Sequence, residues 1–585
     1  MQYPTLSPSK QTRIVTDVFT GYDHRPRTAD GAFYNTENLS SRQYPLLCTR
    51  ERRGLVTTLE APGGLLGKDA LCYVDDGTLY VNGLATAVTG LASGEKQLVS
   101  MGAYVLIFPD KVYYNTEDAS DHGSMEASYT SIGSVSYAPC RADGSLYSID
   151  TSGDMEPDTP ENGALWLDTG DGGMTLRQYS ASQACWVEIP EVYTRIGFAS
   201  QGSVPALFKA YDGVTITGAH YEALNGDKIL YALGGAANST ADYIVVVGLI
   251  GAGSTETTGS VTVSRSVPTM DFVCEAQNRL WGCRYGNDGT KNLNEIYASA
   301  LGDFRNFRQY LGLSTDSWTA SVGSDGVWTG AVNYLGRPCF FKENRIHQVT
   351  VSATGAHRLD EIVCRGVQKG SDKSLQVVGE RLYYKSGDGV CVWQGGFPQT
   401  VSAALGETAY EKAVAGSVDG RYYLSMQESA SGDWSLFCYD TERGVWYRED
   451  ALHILCFARA GGELYAVDAA SGALLALKGS VGTAEASLPW MAETGLLGYQ
   501  TPDRKYVSRY TLTLRMEEGA SVRLWLRYDS TGAWQKSGEV QLSVNGSVTI
   551  PIRPRRCDHM QLRIEGEGEV KIRALTRVLE TGSDL

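Results

Sequence analysis

The residues best suited to moving protons near neutral pH are the seven histidines, at positions 24, 122, 220, 347, 357, 453 and 559, and they are scattered along the chain. None stands at metal-ligand spacing, and neither HExxH nor CxxC occurs. The twelve cysteines are equally dispersed. Several lie inside apolar runs such as Val390-Cys391-Val392-Trp393, where a thiol acts as a small hydrophobe, so reduced core thiols are expected. A GxSxG nucleophile elbow is absent, as is a phosphate-cradling glycine loop between strand and helix. Gly251-Ala252-Gly253 follows an apolar run but leads into no helical pattern, and reads as a turn. The acidic residues are numerous enough to supply carboxylate pairs for glycoside hydrolysis, but sequence does not give their separation. No catalytic residue, cofactor or metal ligand is therefore assigned, and the chain is expected not to be an enzyme. Arg553, Arg555 and Arg556 form one basic cluster that could contact phosphate, meet an acidic protein face, or guard an exposed strand edge.

The elements that must position these residues are almost all strands. Gly occurs 66 times, Tyr 34 times, and aromatics reach 10%, a usage that suits sheets with many tight turns. Long apolar stripes of helical period are nearly absent; one short helix is expected at 403–412. The formal net charge of −16 argues against a surface that grips a phosphate backbone over a large area. Residues 503–585 depart from this, with 14 basic against 11 acidic side chains, a net of +3 that leaves −19 for the remainder. An acidic body with a mildly basic end suggests two faces with different partners. The N-terminal MQYPTLSPSK lacks an apolar core, and the longest apolar run, 243–252, is far short of the ~20 residues of a membrane helix. A soluble protein made in a cytoplasm, without a membrane anchor, is expected.

The stretch 277–307, QNRLWGCRYGNDGTKNLNEIYASALGDFRNF, shows the repeating unit most clearly. Two apolar runs flank a tip rich in Gly, Asn and Asp, the signature of a long-tipped hairpin. The second run stops at Leu301-Gly302-Asp303 and is followed by Phe304 and Phe307, aromatics expected on a rim loop and available to a neighbouring blade or subunit. Similar strand pairs recur about every 40 to 50 residues, a spacing that suits four-stranded propeller blades. The order Tyr439-Asp440 to Gly444-Val445-Trp446 returns as Tyr528-Asp529 to Gly532-Ala533-Trp534. In both, the Asp can bond forward into its own turn and the Gly can supply positive φ. Ser386-Gly387-Asp388-Gly389 resembles the Asp-box turn of sialidase propellers, but with its Gly one place early, and reads as a blade hairpin.

The predicted fold class is all-β: a β-propeller interrupted by an inserted small β-rich domain and followed by a C-terminal β-sandwich. Residues 1–60 read as an extended N-terminal arm contributing to the propeller, 61–134 as its first part, 135–265 as the insertion, 266–485 as the remainder of the propeller, and 486–585 as the sandwich. Alternation such as Val522, Leu524 and Leu526 against Arg523, Trp525 and Arg527 carries the last assignment.

Tyr44-Pro45-Leu46, Asn278-Arg279-Leu280-Trp281-Gly282, Ile296-Tyr297-Ala298-Ser299-Ala300-Leu301-Gly302-Asp303 and Pro554-Arg555-Arg556-Cys557-Asp558-His559 together resemble the propeller-bearing tail hub or nozzle (packaged-DNA stabilisation) proteins of tailed bacteriophages. The resemblance spans the propeller segments in motifs only. It implies a structural virion protein whose copies form a ring below the portal and adaptor, extend the DNA channel, retain the genome and permit its ejection. The implied partners are other copies of the chain, portal, adaptor and other tail proteins, and passing DNA; the implied location is the phage tail. On this reading Phe304, Phe307, Arg553, Arg555 and Arg556 are the candidate assembly interface, with the sandwich and arm docking the neighbouring ring or subunit. Two alternatives stay open: a receptor-binding tail protein holding host glycans through Trp166, Trp186 and Trp328, and a propeller glycan hydrolase.

Overall fold

The computed structural model describes residues 10–170, 173–236, 240–256, 260–352, 355–500, 504–541 and 545–581. Its organising unit is a four-stranded antiparallel meander, and seven sheets built on it stand side by side among the described residues. Blade 1 runs from Pro62–Gly67 through Leu71–Asp75 and Thr78–Val81 to Leu84–Ala85. Blade 2 begins at Gln97–Met101, blade 3 at Phe272–Ala276, blade 4 at Gly330–Tyr334, blade 5 at Gln376–Val378, blade 6 at Tyr410–Val418 and blade 7 at Ile454–Ala460. Each of these first strands lies innermost and packs against the first strand or leading turn of the next blade, and the contact of Ile454–Ala460 with Pro62–Gly67 closes the ring. At that seam a Cβ on Gly67 would lie 1.7 Å from the Arg459 carbonyl oxygen, so the close approach requires glycine.

Local chemistry explains the blades. Asp76 and Gly77 adopt φ of +44° and +68° in the two-residue turn that joins Leu71–Asp75 to Thr78–Val81, as the twist of a tight hairpin demands. In the second strands one face fills the gap to each neighbouring blade, so Leu280, Trp281 and Cys283 of blade 3 and Phe340 and Phe341 of blade 4 are fully buried. Because the four strands alternate in direction, first-to-second and third-to-fourth turns lie at one end of the propeller. Second-to-third turns and interblade connections lie at the other.

The expected helix at 403–412 is corrected. Only Ala403–Leu405 makes a single tight turn, and Tyr410–Val418 is the inner strand of blade 6, bulged where Lys412 takes φ +51°. Alternating burial against the neighbouring blades there outweighs local helix preference.

The N-terminal arm differs from the expected domain map. Gly54–Thr58 does join the propeller, pairing with Ala473–Ala476 to complete blade 7, and Gly21–Tyr22 extends blade 6 through Tyr22 and Trp446. But Lys10–Thr16 pairs with Val570–Thr581, and Asn35–Glu37 with Pro489–Glu493, so much of the arm belongs to the sandwich. The sandwich packs two sheets over a core that includes Tyr510, Leu512, Leu514, Val522, Leu524, Leu526, Leu562, Ile564 and Ile572. Arg53, buried with Glu449 at 2.8 Å and Asp450 at 2.5 Å, fixes the arm to blade 6.

The insertion occupies the connection between blades 2 and 3. It begins earlier than 135, because Ala127–Thr130 pairs with Thr262–Arg265. Two sheets enclose a core containing Ile196, Ile216, Ile244 and Val263, and a four-stranded outlier, Thr151–Gly153 through Cys185–Glu188, projects from them.

Candidate functional site at the propeller axis

The seven inner strands converge on an axial cavity of about 220 Å³. Every blade contributes to its lining, including Leu65, Leu98, Phe272, Ala331, Leu375, Val414 and Phe457. A cavity of this size, ringed mostly by half-buried apolar side chains, is far too narrow for a DNA duplex. The polar groups Glu95, Lys96, Asp372 and Lys373 come from the connections leading into blades 2 and 5, so they stand at the interblade-connection end of the axis.

Lys373 Nζ lies 3.0 Å from Glu95 Oε1 and donates to the Leu455 carbonyl at 2.8 Å. Lys96, almost fully buried, pairs with Asp110 at 2.6 Å. Burial pushes the Asp372 carboxyl above the usual carboxylate range; the nearby Glu95 charge adds to the rise and Lys373 opposes it. A carboxyl whose pKa is raised beside a second acidic side chain is the pairing from which general acid and base roles are built. The cavity is smaller than the ~300–1,000 Å³ of most ligand pockets, so only a small group fits without opening.

A second grouping has the composition of a catalytic triad but not its geometry. Ser324 Oγ at 3.0 Å and Glu361 Oε2 at 3.1 Å both meet Nε2 of the fully buried His347, while Nδ1 faces no partner among the described residues. A relay needs nucleophile and orienting acid on opposite ring nitrogens. Burial lowers the His347 pKa, with Glu361 only partly offsetting it, so the ring is neutral near pH 7. Lys342, buried beside Trp328 at 4.6 Å and bonded to Asn294, completes a structural polar cluster between blades 3 and 4.

The sequence-derived interface residues do not form one surface. Phe304 and Phe307 are each 4% exposed, which corrects the expectation that they are available to another subunit. Phe304 packs on Tyr104 and Tyr113 of blade 2, at ring-centroid distances of 4.9 and 5.3 Å, because folding the loop inward buries two large apolar rings. Arg553, Arg555 and Arg556 are exposed on an irregular segment between Asn545–Ile550 and Met560–Glu567, and so guard no strand edge. Arg555 reaches over the Tyr528 ring at 5.7 Å, and no ion pair holds any of the three among the described residues. Trp166 and Trp328 are buried, which removes them as glycan platforms; Trp186 is half-buried, edge-on to Trp166 at 5.5 Å.

In the sequence Arg279 stands only as part of the NRLWG run, and Asn306 has no assigned role. The buried Arg279 guanidinium donates to the carbonyls of Ser299, Asp316 and Ser314 at 2.6–2.7 Å, holding the long third-to-fourth turn of blade 3. Asn306 accepts from the Gly213 amide at 3.2 Å and donates to the Tyr211 carbonyl at 2.9 Å, clamping that turn to the insertion. A charged residue opening an apolar strand in NRLWG is the one signal that marks Arg279.

No protein-family model matches the chain, and no curated protein is similar to it in sequence. Among solved structures, an exo-β-1,3-galactanase from Phanerochaete chrysosporium matches over 51% of this chain and 94% of its own, at 9% identity and a TM-score of 0.20. A glycoside hydrolase matches over 51% and 96%, at 11% identity and a TM-score of 0.19. The endosialidase of phage phi92 matches over 81% and 70%, at 9% identity and a TM-score of 0.20. With a galactanase and a glycoside hydrolase among these structures, the expectation that the chain is not an enzyme is overturned and withdrawn.

Proposed function

We propose that the chain is a structural protein of a tailed-phage virion, forming with its copies a ring of the tail hub below the portal and adaptor. The observation that carries this reading is the exposed Arg553-Arg555-Arg556 segment, held by no ion pair among the described residues, on a body of strong negative charge. Such a segment is suited to meeting an acidic face of a partner, while the rest of the surface repels DNA. The interlocking of arm, sandwich and blades 6 and 7 gives that segment a rigid support. Since the propeller axis is too narrow for a duplex, a DNA channel would lie between copies of the chain, with each propeller forming part of its wall. The test is the triple variant Arg553→Glu, Arg555→Glu, Arg556→Glu in a phage-producing host. Folded variant protein missing from particles supports the reading; wild-type incorporation contradicts it.

A second reading, glycan hydrolysis, is favoured by one observation, the raised Asp372 carboxyl beside Glu95 at the axis. In it Asp372 is the general acid and Glu95 the partner carboxylate. Release of reducing ends from host capsule by wild type but not Asp372→Asn is the result that establishes it, and no release from any capsule tested removes it.

A further inference from the structure

A cleft of about 610 Å³ lies where the insertion returns to blade 3, and neither reading above uses it. One wall is the return connection, Ser266, Pro268 and Thr269. The floor is the outer part of blade 3, including Arg284, Asn287, Lys291, Glu295 and Tyr297, and the far wall carries Arg308 and Tyr310.

The chemistry of this lining selects a class of ligand. Three cations face the cleft, and each is already neutralised: Arg284 by Asp271 at 2.6 Å, Lys291 by Glu295 at 3.1 Å, and Arg308 by Asp227. Asp288 spends its carboxylate on its own hairpin tip, accepting from the Thr290 and Lys291 amides and the Thr290 hydroxyl, and its pKa is lowered to about 2. The lining therefore has no surplus positive charge for a phosphate or sulfate, yet is dense in fixed donors and acceptors. Tyr297 adds a hydroxyl held by Glu295 at 2.6 Å. Tyr310 is 55% exposed, a large aromatic ring left in water at the cleft's edge, its hydroxyl near the Phe307 carbonyl. An exposed aromatic beside paired polar groups suits a neutral, hydroxyl-rich ligand, whose hydroxyls bond to the ion-paired side chains while its C–H faces stack on the ring.

We infer that this cleft binds a segment of a neutral polysaccharide, with Tyr310 as the stacking residue and Lys291, Glu295 and Arg308 as the hydrogen-bonding set. The inference is independent of ring assembly and of the axial carboxylates.

The test uses the full-length protein on an array of neutral gluco-, galacto- and manno-oligosaccharides, followed by calorimetric titration with whichever binds best. A dT20 oligonucleotide and dextran sulfate serve as polyanion probes. The expected result is binding of at least one neutral glycan. Tyr310→Ala should weaken it about tenfold or more, while Tyr310→Phe stays close to wild type. Lys291→Ala, at an exposed hairpin position, should also weaken it. A folded protein that binds no neutral glycan, binds only the polyanions, or binds equally as Tyr310→Ala overturns the inference.

Discussion

Lys373 and Glu95 form an ion pair 3.0 Å long between the connection leading into blade 5 and that leading into blade 2, three blades away in a ring of seven. It therefore crosses the axial opening, and the same ammonium also donates to Leu455 of blade 7. Glu95 is largely exposed and Lys373 partly so, so Lys373→Met should cost at most about 1 kcal/mol of stability. Its effect belongs on Asp372, which loses its nearest cation, so the Asp372 carboxyl should titrate at still higher pH. Carbon-13 NMR of labelled aspartate would measure that shift.

Asp372 itself predicts a pH dependence. Its folded pKa lies above its unfolded value, so the stability it favours is fully present below the unfolded pKa near 3.8 and is lost as pH rises through the folded value. Asp372→Asn should accordingly melt higher than wild type at pH 7, with the difference vanishing below about pH 4. Thermal melts across that range check it, and a variant less stable than wild type at pH 7 would contradict the assignment.

The Arg53–Glu449 pair predicts a large effect. Both side chains are under 5% exposed, so removing one strands a buried charge, and Arg53→Met should cost about 3–5 kcal/mol by denaturant unfolding. Because Arg53 directly precedes the closing strand Gly54–Thr58, the loss should also expose that strand to protease.

Gly67 tests ring closure. A methyl group there meets the Arg459 carbonyl oxygen at 1.7 Å, and Gly67→Ala should cost about 2 kcal/mol as the seam spreads. Asn306→Ala should instead loosen the insertion, leaving the Gly213 amide unpaired at a cost of about 1–3 kcal/mol. Faster cleavage within 125–270, with the blades still protected, is the expected proteolysis pattern.

What the sequence made legible was local. The turn at 439–446 behaves as its residues suggest, with Asp440 accepting from the Glu442 and Arg443 amides and Gly444 at φ +69°. Its look-alike at 528–534 does not: Asp529 accepts instead from the Asp558 and His559 amides, and Asp529 and Ser530 carry positive φ as well as Gly532. The same order of residues thus serves different partners, because tertiary contacts decide where a free carboxylate bonds. Alternation located Val522, Leu524 and Leu526 in the core, since burial on one face of a strand leaves a period of two. Pairing of Lys10–Thr16 with Val570–Thr581 left no local trace, because strand partners at opposite ends of a chain share no short-range signal. Phe304 shows the same limit: an aromatic on a loop reads alike whether it turns outward to a partner or inward onto Tyr104. The axial site was illegible for a related reason, since Glu95 and Asp372 meet only through the closure of the ring.

Ring assembly on the tail axis is tested most directly by electron microscopy of the full-length protein mixed with its portal and adaptor. The expected image is a closed ring of this chain coaxial with the portal, with the open channel between copies and none through a propeller. Monomers alone, or copies attached only at the periphery, would contradict it.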